Sequence, residues 1–142
     1  MFSAAGCVAC HRVGGDGGTV GPDLTTVGQR FSVPEILESI IEPSRTISDQ
    51  YRMVMLQTKE GRAYSGRILS RDAESTRVAT NLMRPSQTVA VSNESILREE
   101  MLPVSIMPSG LANPLNEDEL LDLLAYLVSG GDVQHAAFKA TP

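Results

Sequence analysis

The sequence predicts an α+β protein in which a mainly α-helical domain is split by an inserted small antiparallel β-sheet or open barrel. Apolar residues recur at helical spacing in two stretches of the 142-residue chain, one early and one near its end. The middle instead alternates between apolar and polar residues, as half-buried strands do. A single Cys-x-x-Cys-His motif opens the chain. We therefore expect a helical domain over 1–50 and 103–131, a β subdomain over 51–102, and a tail or linker over 132–142.

The composition limits the possible classes of function. Hydrophobic residues make up 42% of the chain, aromatic residues only 4%, and Trp is absent, so a large bound cofactor could complete the core. The net charge of −5 argues against a nucleic-acid partner, because phosphate contacts need a basic face. No apolar run reaches the ~20 residues of a membrane span, and no signal peptide is visible. We expect a mature or excised form, as a monomer or homodimer.

The first predicted element is a short helix from Ser3 to about Arg12 that carries the only two cysteines. Structural zinc, a redox dithiol and covalent haem attachment all use two thiols at this spacing. Zinc would need Asp or Glu as further ligands, because His135 is the only other histidine. A redox dithiol should follow a buried strand, and the six residues before Cys7 do not supply one. Two ordinary buried thiols would leave the adjacent histidine unexplained.

Haem attachment accounts for all three residues of the motif. Cys7 and Cys10 would add to the two vinyl groups of the porphyrin, and His11 would bind the iron. The Gly-rich stretch that follows could pass around the ring edge, although it is also compatible with a plain surface loop. Pro22 in this stretch has a free carbonyl that could accept from His11 Nδ1–H, and such a bond fixes an imidazole ligand.

A second iron ligand is available late in the chain. Met107 precedes Pro108, which disfavours helical conformation at Met107, and a thioether on an extended segment is a suitable soft ligand for haem iron. The methionines that fit less well, because their surroundings are strand-like, turn-like or charged, are Met53, Met55, Met83 and Met101. We predict His11 and Met107 as the two metal ligands.

Two further helices are predicted. The first runs from Pro34 to Glu42, with its cap near Ser32 or Val33. The second begins at Asn116, forms a capping-box-like start with Glu119, and ends at Gly130-Gly131. Their apolar stripes are formed by Ile36, Leu37, Ile40 and Ile41, and by Leu120, Leu123, Leu124 and Leu127.

Four strand-like runs lie between them: YRMVMLQT, RAYSGRIL, STRVATNL and QTVAVS. A hairpin turn at Lys59–Gly61 joins the first two. Three or more strands with a buried face can be stable on their own. We see no catalytic constellation in this region.

These features resemble class I cytochromes c: the C-x-x-C-H start, the run Gly21-Pro22-Asp23-Leu24, the late Met107-Pro108 and a terminal helix with the sequence LLDLLAYL. The stretch between His11 and Met107 is longer than a compact cytochrome needs. The arrangement is most similar to the planctomycete/verrucomicrobial-type haem-binding domain, which typically ends large proteins, often after sugar-dehydrogenase-like propellers. The matching segments are GPDLTTVGQRFSVPEILESIIEPSRTIS, TKEGRAYSGRIL and SIMPSGLANPLNEDELLDLLAYL.

The resemblance implies a cytochrome c fold for the helical domain, one covalent haem c, and single-electron transfer to or from a redox protein or a fused dehydrogenase domain. It also implies export to the bacterial periplasm and no enzymatic activity of the domain itself. The alternative is a haem-based sensor or gas-binding module with a displaceable Met107. Apolar residues expected to line the haem are Leu24, Val27, Phe31, Ile36, Ile40, Ile106, Leu111, Leu120 and Leu124. Arg30 and Tyr51 are candidates for the propionates, although a sheet role fits Tyr51 as well.

Overall fold

A computed structural model describes residues 1–81, 84 and 87–138, and the chain divides into two compact units. One, here called the sheet unit, is Ile47–Ile106. The other, here called the flanking unit, is the chain on either side of it. The flanking unit contains β1 (Arg12–Val13), β2 (Asp16–Gly17), α1 (Val27–Arg30), α2 (Val33–Ile41) and α3 (Glu117–Ser129). The sheet unit contains β3 (Arg52–Thr58), β4 (Ala63–Arg71), β5 (Ser75–Ala79), β6 (Thr88–Ser92) and β7 (Ile96–Ser105).

The prediction of a mainly α-helical fold is wrong. The three α-helices have only 4, 9 and 13 residues, whereas the five strands of the sheet unit have 7, 9, 5, 5 and 10. The helix predicted from Ser3 to Arg12 does not form. Its residues make hydrogen-bonded turns and a three-residue 3₁₀ helix, Cys7–Ala9. Gly6 has a φ of 76°, a left-handed conformation that interrupts a right-handed helix.

The two longer helices are confirmed, with their caps. Ser32 precedes α2, and its backbone N–H and hydroxyl both donate to Glu35 Oε2 at 2.7 Å. Asn116 precedes α3 and accepts from the Glu119 N–H at 3.0 Å, while Glu119 Oε2 accepts from the Asn116 N–H at 2.9 Å. The apolar stripe of α2 is narrower than predicted, because Ile41 is 53% exposed.

The core of the flanking unit is built on α3. Three leucines of α3 are buried together with Phe2, Val13 and Ile36: Leu123, Leu124 and Leu127. The Phe2 and Tyr126 rings lie 5.4 Å apart. Helix α1 approaches α3 closely at Gly28, where a Cβ would lie 2.6 Å from the Val128 Cα. Only a residue without a side chain allows this approach.

The sheet unit is a five-stranded antiparallel sheet with the strand order β6-β5-β4-β3-β7. Its core contains Val54, Leu56, Val78 and Val91. The four predicted strands are present, although β5 ends at Ala79. Strand β7 was not predicted, because its charged sequence, ILREEMLPVS, lacks the alternation of apolar and polar residues that indicates a strand.

Some predictions fall on residues that the structure does not describe: Leu82 at the end of the third run, Met83, and Lys139 to Pro142 in the tail. The described part of the tail includes a short 3₁₀ helix, Ala136–Phe138. Among the described residues, no helix combines the length and apolar character that a membrane crossing requires.

Candidate functional site

The cysteine motif forms a tight turn at the surface of the flanking unit's core. The backbone N–H groups of Cys10 and His11 both donate to the Cys7 carbonyl, at 3.1 and 2.9 Å. The two thiols are half-buried and form no disulfide. Cys7 packs against the core built on α3, and this burial raises the pKa of its thiol. The turn therefore holds two half-buried thiols directly before the imidazole.

The imidazole of His11 has its orientation fixed by a hydrogen bond of 2.9 Å between Nδ1 and the Pro22 carbonyl oxygen. A carbonyl oxygen can only accept, so Nδ1 carries the proton and donates. In the neutral imidazole, Nε2 is then the nitrogen that carries no proton, and it can bind a metal. This predicted hydrogen bond is present, and it leaves the imidazole in the tautomer that an iron ligand needs.

The loop that carries Pro22 is itself tied to the cysteine turn. Gly21 N–H donates to the Cys10 carbonyl at 2.8 Å, and Leu24 N–H donates to the Arg12 carbonyl at 2.8 Å. Gly21 lies against the imidazole, because a Cβ there would be 2.6 Å from His11 Cε1. This contact of Gly21 was not predicted from the sequence. The only signal was its place directly before the proline that accepts from His11.

A second network, also missed from the sequence, lies on the far side of Pro22. Asp23 Oδ1 accepts from the Thr25 N–H at 2.9 Å and from the Thr25 hydroxyl at 2.6 Å. Thr25 Oγ1 accepts in turn from the Gly14 N–H at 2.9 Å. The hydrogen bonds from the Thr25 hydroxyl and N–H lower the pKa of Asp23. The Thr25 carbonyl oxygen lies close to Gly130, which follows α3, and a Cβ at Gly130 would overlap it.

The structure brings together part of the predicted apolar lining. The predicted residues that pack in one cluster with Cys7 are Leu24, Val27, Ile36, Ile40, Leu120 and Leu124. Phe31 is 45% exposed, and the Arg30 guanidinium lies 5.4 Å from its ring centre. Leu111 is half-buried in the turns before α3.

The remaining candidates lie at the end of β7 or within the sheet unit. Met107 is half-buried in a bend, two residues after β7 ends. Ile106 and Tyr51 belong to the sheet unit, where the Arg67 guanidinium lies 5.0 Å from the Tyr51 ring centre. The contact between Tyr51 and Arg67 is therefore made within the sheet unit. Its predicted propionate role stays a prediction, as do the roles of Met107 and Ile106.

The described residues contain no group of three or more His, Cys, Asp or Glu side chains that could hold a metal ion. A protein-only metal cage of that kind is therefore not formed by them. The arrangement at the cysteine turn is instead one thiol pair beside one imidazole with a free Nε2, set against an apolar cluster.

A sequence model of the cytochrome c family matches residues 1–131. The chain belongs to the cytochrome c family. No curated protein matches it. Membership implies covalently bound haem c and a role in electron transfer. The residues of the cysteine turn fit that group, because they supply two thiols, one correctly protonated imidazole and an adjoining apolar cluster.

Proposed function

We propose that this chain is a single-electron carrier in which Cys7 and Cys10 hold one haem c and in which His11 Nε2 and the Met107 thioether bind its iron. The observation that carries the proposal is the hydrogen bond between His11 Nδ1 and the Pro22 carbonyl. It places the ring proton on Nδ1 and leaves Nε2 as the nitrogen that can bind the iron. The bound group supplies an iron that alternates between Fe(II) and Fe(III).

The protein residues would set the conditions for that one-electron change. The Pro22 carbonyl increases the basicity of the His11 imidazole by accepting its Nδ1 proton. The thioether of Met107 favours Fe(II) and so raises the potential. Leu24, Ile40 and Leu120 lie in the apolar cluster beside Cys7, and an apolar environment also favours the less charged ferrous form. With His11 and Met107 both binding the iron, no coordination site would remain for a substrate.

Met107 is supported by its place in the chain. It follows the rigid pairing of β7 directly, since Ser105 still pairs with Arg52 of β3. It also precedes a proline, so the segment cannot wind into a helix at that point. Met101, the nearest alternative, lies within β7 and pairs with Val54.

The partner we propose is a redox protein or a fused dehydrogenase domain that presents a positively charged surface. The first turn of α3 contains Glu117, Asp118 and Glu119, and the whole chain has a net charge of −5. Opposite charge at the docking site raises the rate of encounter. We also propose that the protein is exported to the periplasm. The segments quoted above support a relationship to the planctomycete/verrucomicrobial-type haem-binding domain.

The test is expression with the haem-attachment machinery, followed by intact mass and a pyridine haemochrome assay. The expected result is a mass increase equal to one haem, which is abolished when both cysteines are replaced by Ala. A folded, colourless protein would overturn the proposal.

Met107→Ala should remove the weak ferric charge-transfer band at the red end of the spectrum and lower the potential, whereas the matched variant Met101→Ala should keep both. Loss of the band in Met101→Ala alone would exclude Met107 as the ligand. Binding of carbon monoxide by the unaltered ferrous protein would favour a gas-binding module instead.

A further inference from the structure

Strand β7 has an edge that no other described strand covers. It is the last strand in the sheet order and pairs only with β3 in the part of the chain that the structure describes. Its residues from Leu97 to Met101 are all exposed, with Leu97 at 63% and Met101 at 62%. A long exposed strand edge with apolar side chains is a template for pairing with another strand.

The sequence of β7 is complementary to itself in the antiparallel direction. When two copies are aligned about Glu99, Arg98 of each lies opposite Glu100 of the other. Leu97 then lies opposite Met101, and Ile96 opposite Leu102. Opposite charges and apolar pairs that face each other across antiparallel strands are stabilising. Within the part of β7 that pairs regularly, Arg98 to Met101, this alignment gives two ion pairs.

The structure removes the main objection to this alignment, which is that two Glu99 carboxylates would face each other. Arg71 Nη2 lies 2.6 Å from Glu99 Oε2, so each central carboxylate already has its own cation. Arg98 and Glu100 are paired within the strand at 3.3 Å. They share one face of the sheet, because they lie opposite Gln57 and Met55 of β3. They can exchange this exposed pairing for one between two copies.

The length of the ladder is also limited by the sequence. Pro103 has no N–H to donate, so pairing from the outer edge ends after Leu102. On the other side, β7 begins at Ile96, which the same alignment places opposite Leu102. The pairing of β7 with β3 is regular from Arg98 to Met101 and shifts in register on either side, so the central ion pairs lie in the regular part of the strand.

We propose that the protein forms a two-fold homodimer in which β7 pairs antiparallel with β7 of a second copy, centred on Glu99. In a two-fold interface each residue contacts its counterpart reciprocally, as this alignment requires. The sheet unit then continues across the interface as a ten-stranded sheet. This inference does not depend on the haem ligands proposed above.

The test uses two single charge reversals of the haem-loaded chain, R98E and E100R, studied by sedimentation equilibrium. Each variant alone places like charges opposite each other across the interface. The dimer dissociation constant should rise about tenfold or more. An equimolar mixture should restore dimers, because a dimer with one chain of each variant again has opposite charges at both facing pairs of positions 98 and 100. Arg77→Glu on β5 makes the same change of charge at an exposed site and should leave the dimer intact.

Folding of each variant is checked by far-UV circular dichroism and by haem content. A wild-type protein that stays monomeric at all accessible concentrations would overturn the proposal. Wild-type dimers that persist in both R98E and E100R would place the interface elsewhere. A mixture that stays monomeric, while each variant is folded and the wild type is dimeric, would exclude this strand alignment.

Discussion

Gly21→Ala tests whether the contact between the loop and the imidazole sets the properties of the site. A methyl group at Gly21 would lie 2.6 Å from His11 Cε1 and 2.8 Å from Nδ1. Carbon atoms normally approach to about 3.5–4.0 Å, so the overlap is about 1 Å. Gly21 cannot retreat freely, because its N–H is bound to the Cys10 carbonyl at 2.8 Å. The imidazole or the Pro22 carbonyl has to move.

Overpacking of this kind costs about 1–3 kcal/mol, and we expect the free energy of unfolding of the haem-loaded protein to fall by that amount. The displacement should also lengthen the hydrogen bond between His11 and Pro22. A weaker bond lowers the basicity of the imidazole, so the reduction potential should rise. Denaturant unfolding and potentiometric titration measure the two effects separately.

Gly28→Ala is the matched control for this prediction. It creates an equal overlap, with a Cβ 2.6 Å from the Val128 Cα, but at the contact between α1 and α3. Gly28→Ala should therefore lower stability and leave the potential unchanged. The reasoning is refuted if Gly21→Ala changes neither quantity, or if Gly28→Ala shifts the potential by the same amount.

Four further predictions concern other parts of the chain. Thr25→Val should lower the unfolding midpoint, since the Gly14 N–H and Asp23 both lose their bond to the hydroxyl, and Thr25→Ser should retain it. Asn116→Ala should cost about 1 kcal/mol as a lost N-cap, and Asn116→Asp should cost little. The bonds from Ser32 lower the pKa of Glu35, so wild type should exceed Glu35→Gln in stability at neutral pH. That difference should disappear as the pH falls through the lowered pKa. Replacing 47–106 by a Gly/Ser linker should leave a haem-binding flanking unit, which the absorption spectrum reports.

Elements with strong local signals could be predicted from the sequence. Helices α2 and α3 have a cap residue with a glutamate three positions later, and β3 to β6 have alternating patterns next to turn residues. The prediction of the first helix was wrong, because the spacing of apolar residues does not reveal the backbone conformation of Gly6, which has a positive φ. Strand β7 was missed, because both faces of its central part are exposed. Apolar and polar residues therefore have no reason to alternate along it.

In the candidate site, one contact could be predicted from the sequence and others could not. The bond from His11 to Pro22 could be predicted, because the motif defines an imidazole ligand and proline leaves a carbonyl without a competing N–H. The contact of Gly21 with the imidazole, and the bond from Gly14 to Thr25, join positions that are separated by ten or so residues. Their closeness depends on the path of the whole loop, and no spacing rule in the sequence gives that path.

The presence of β7 determines which residues should be deleted to remove the sheet unit. Arg52 at the start of β3 pairs with Ser105 at the end of β7, so the chain enters and leaves the sheet at paired positions. A deletion of 51–102 would leave Pro103, Val104 and Ser105 without their strand partner, directly before Met107. A deletion of 47–106 removes the paired ends of β3 and β7 together and leaves no strand residue without its partner. If the Met107 segment needs only a free loop, the second deletion should keep the ferric charge-transfer band more completely than the first. Equal loss of the band in both would show that Met107 depends on the intact sheet.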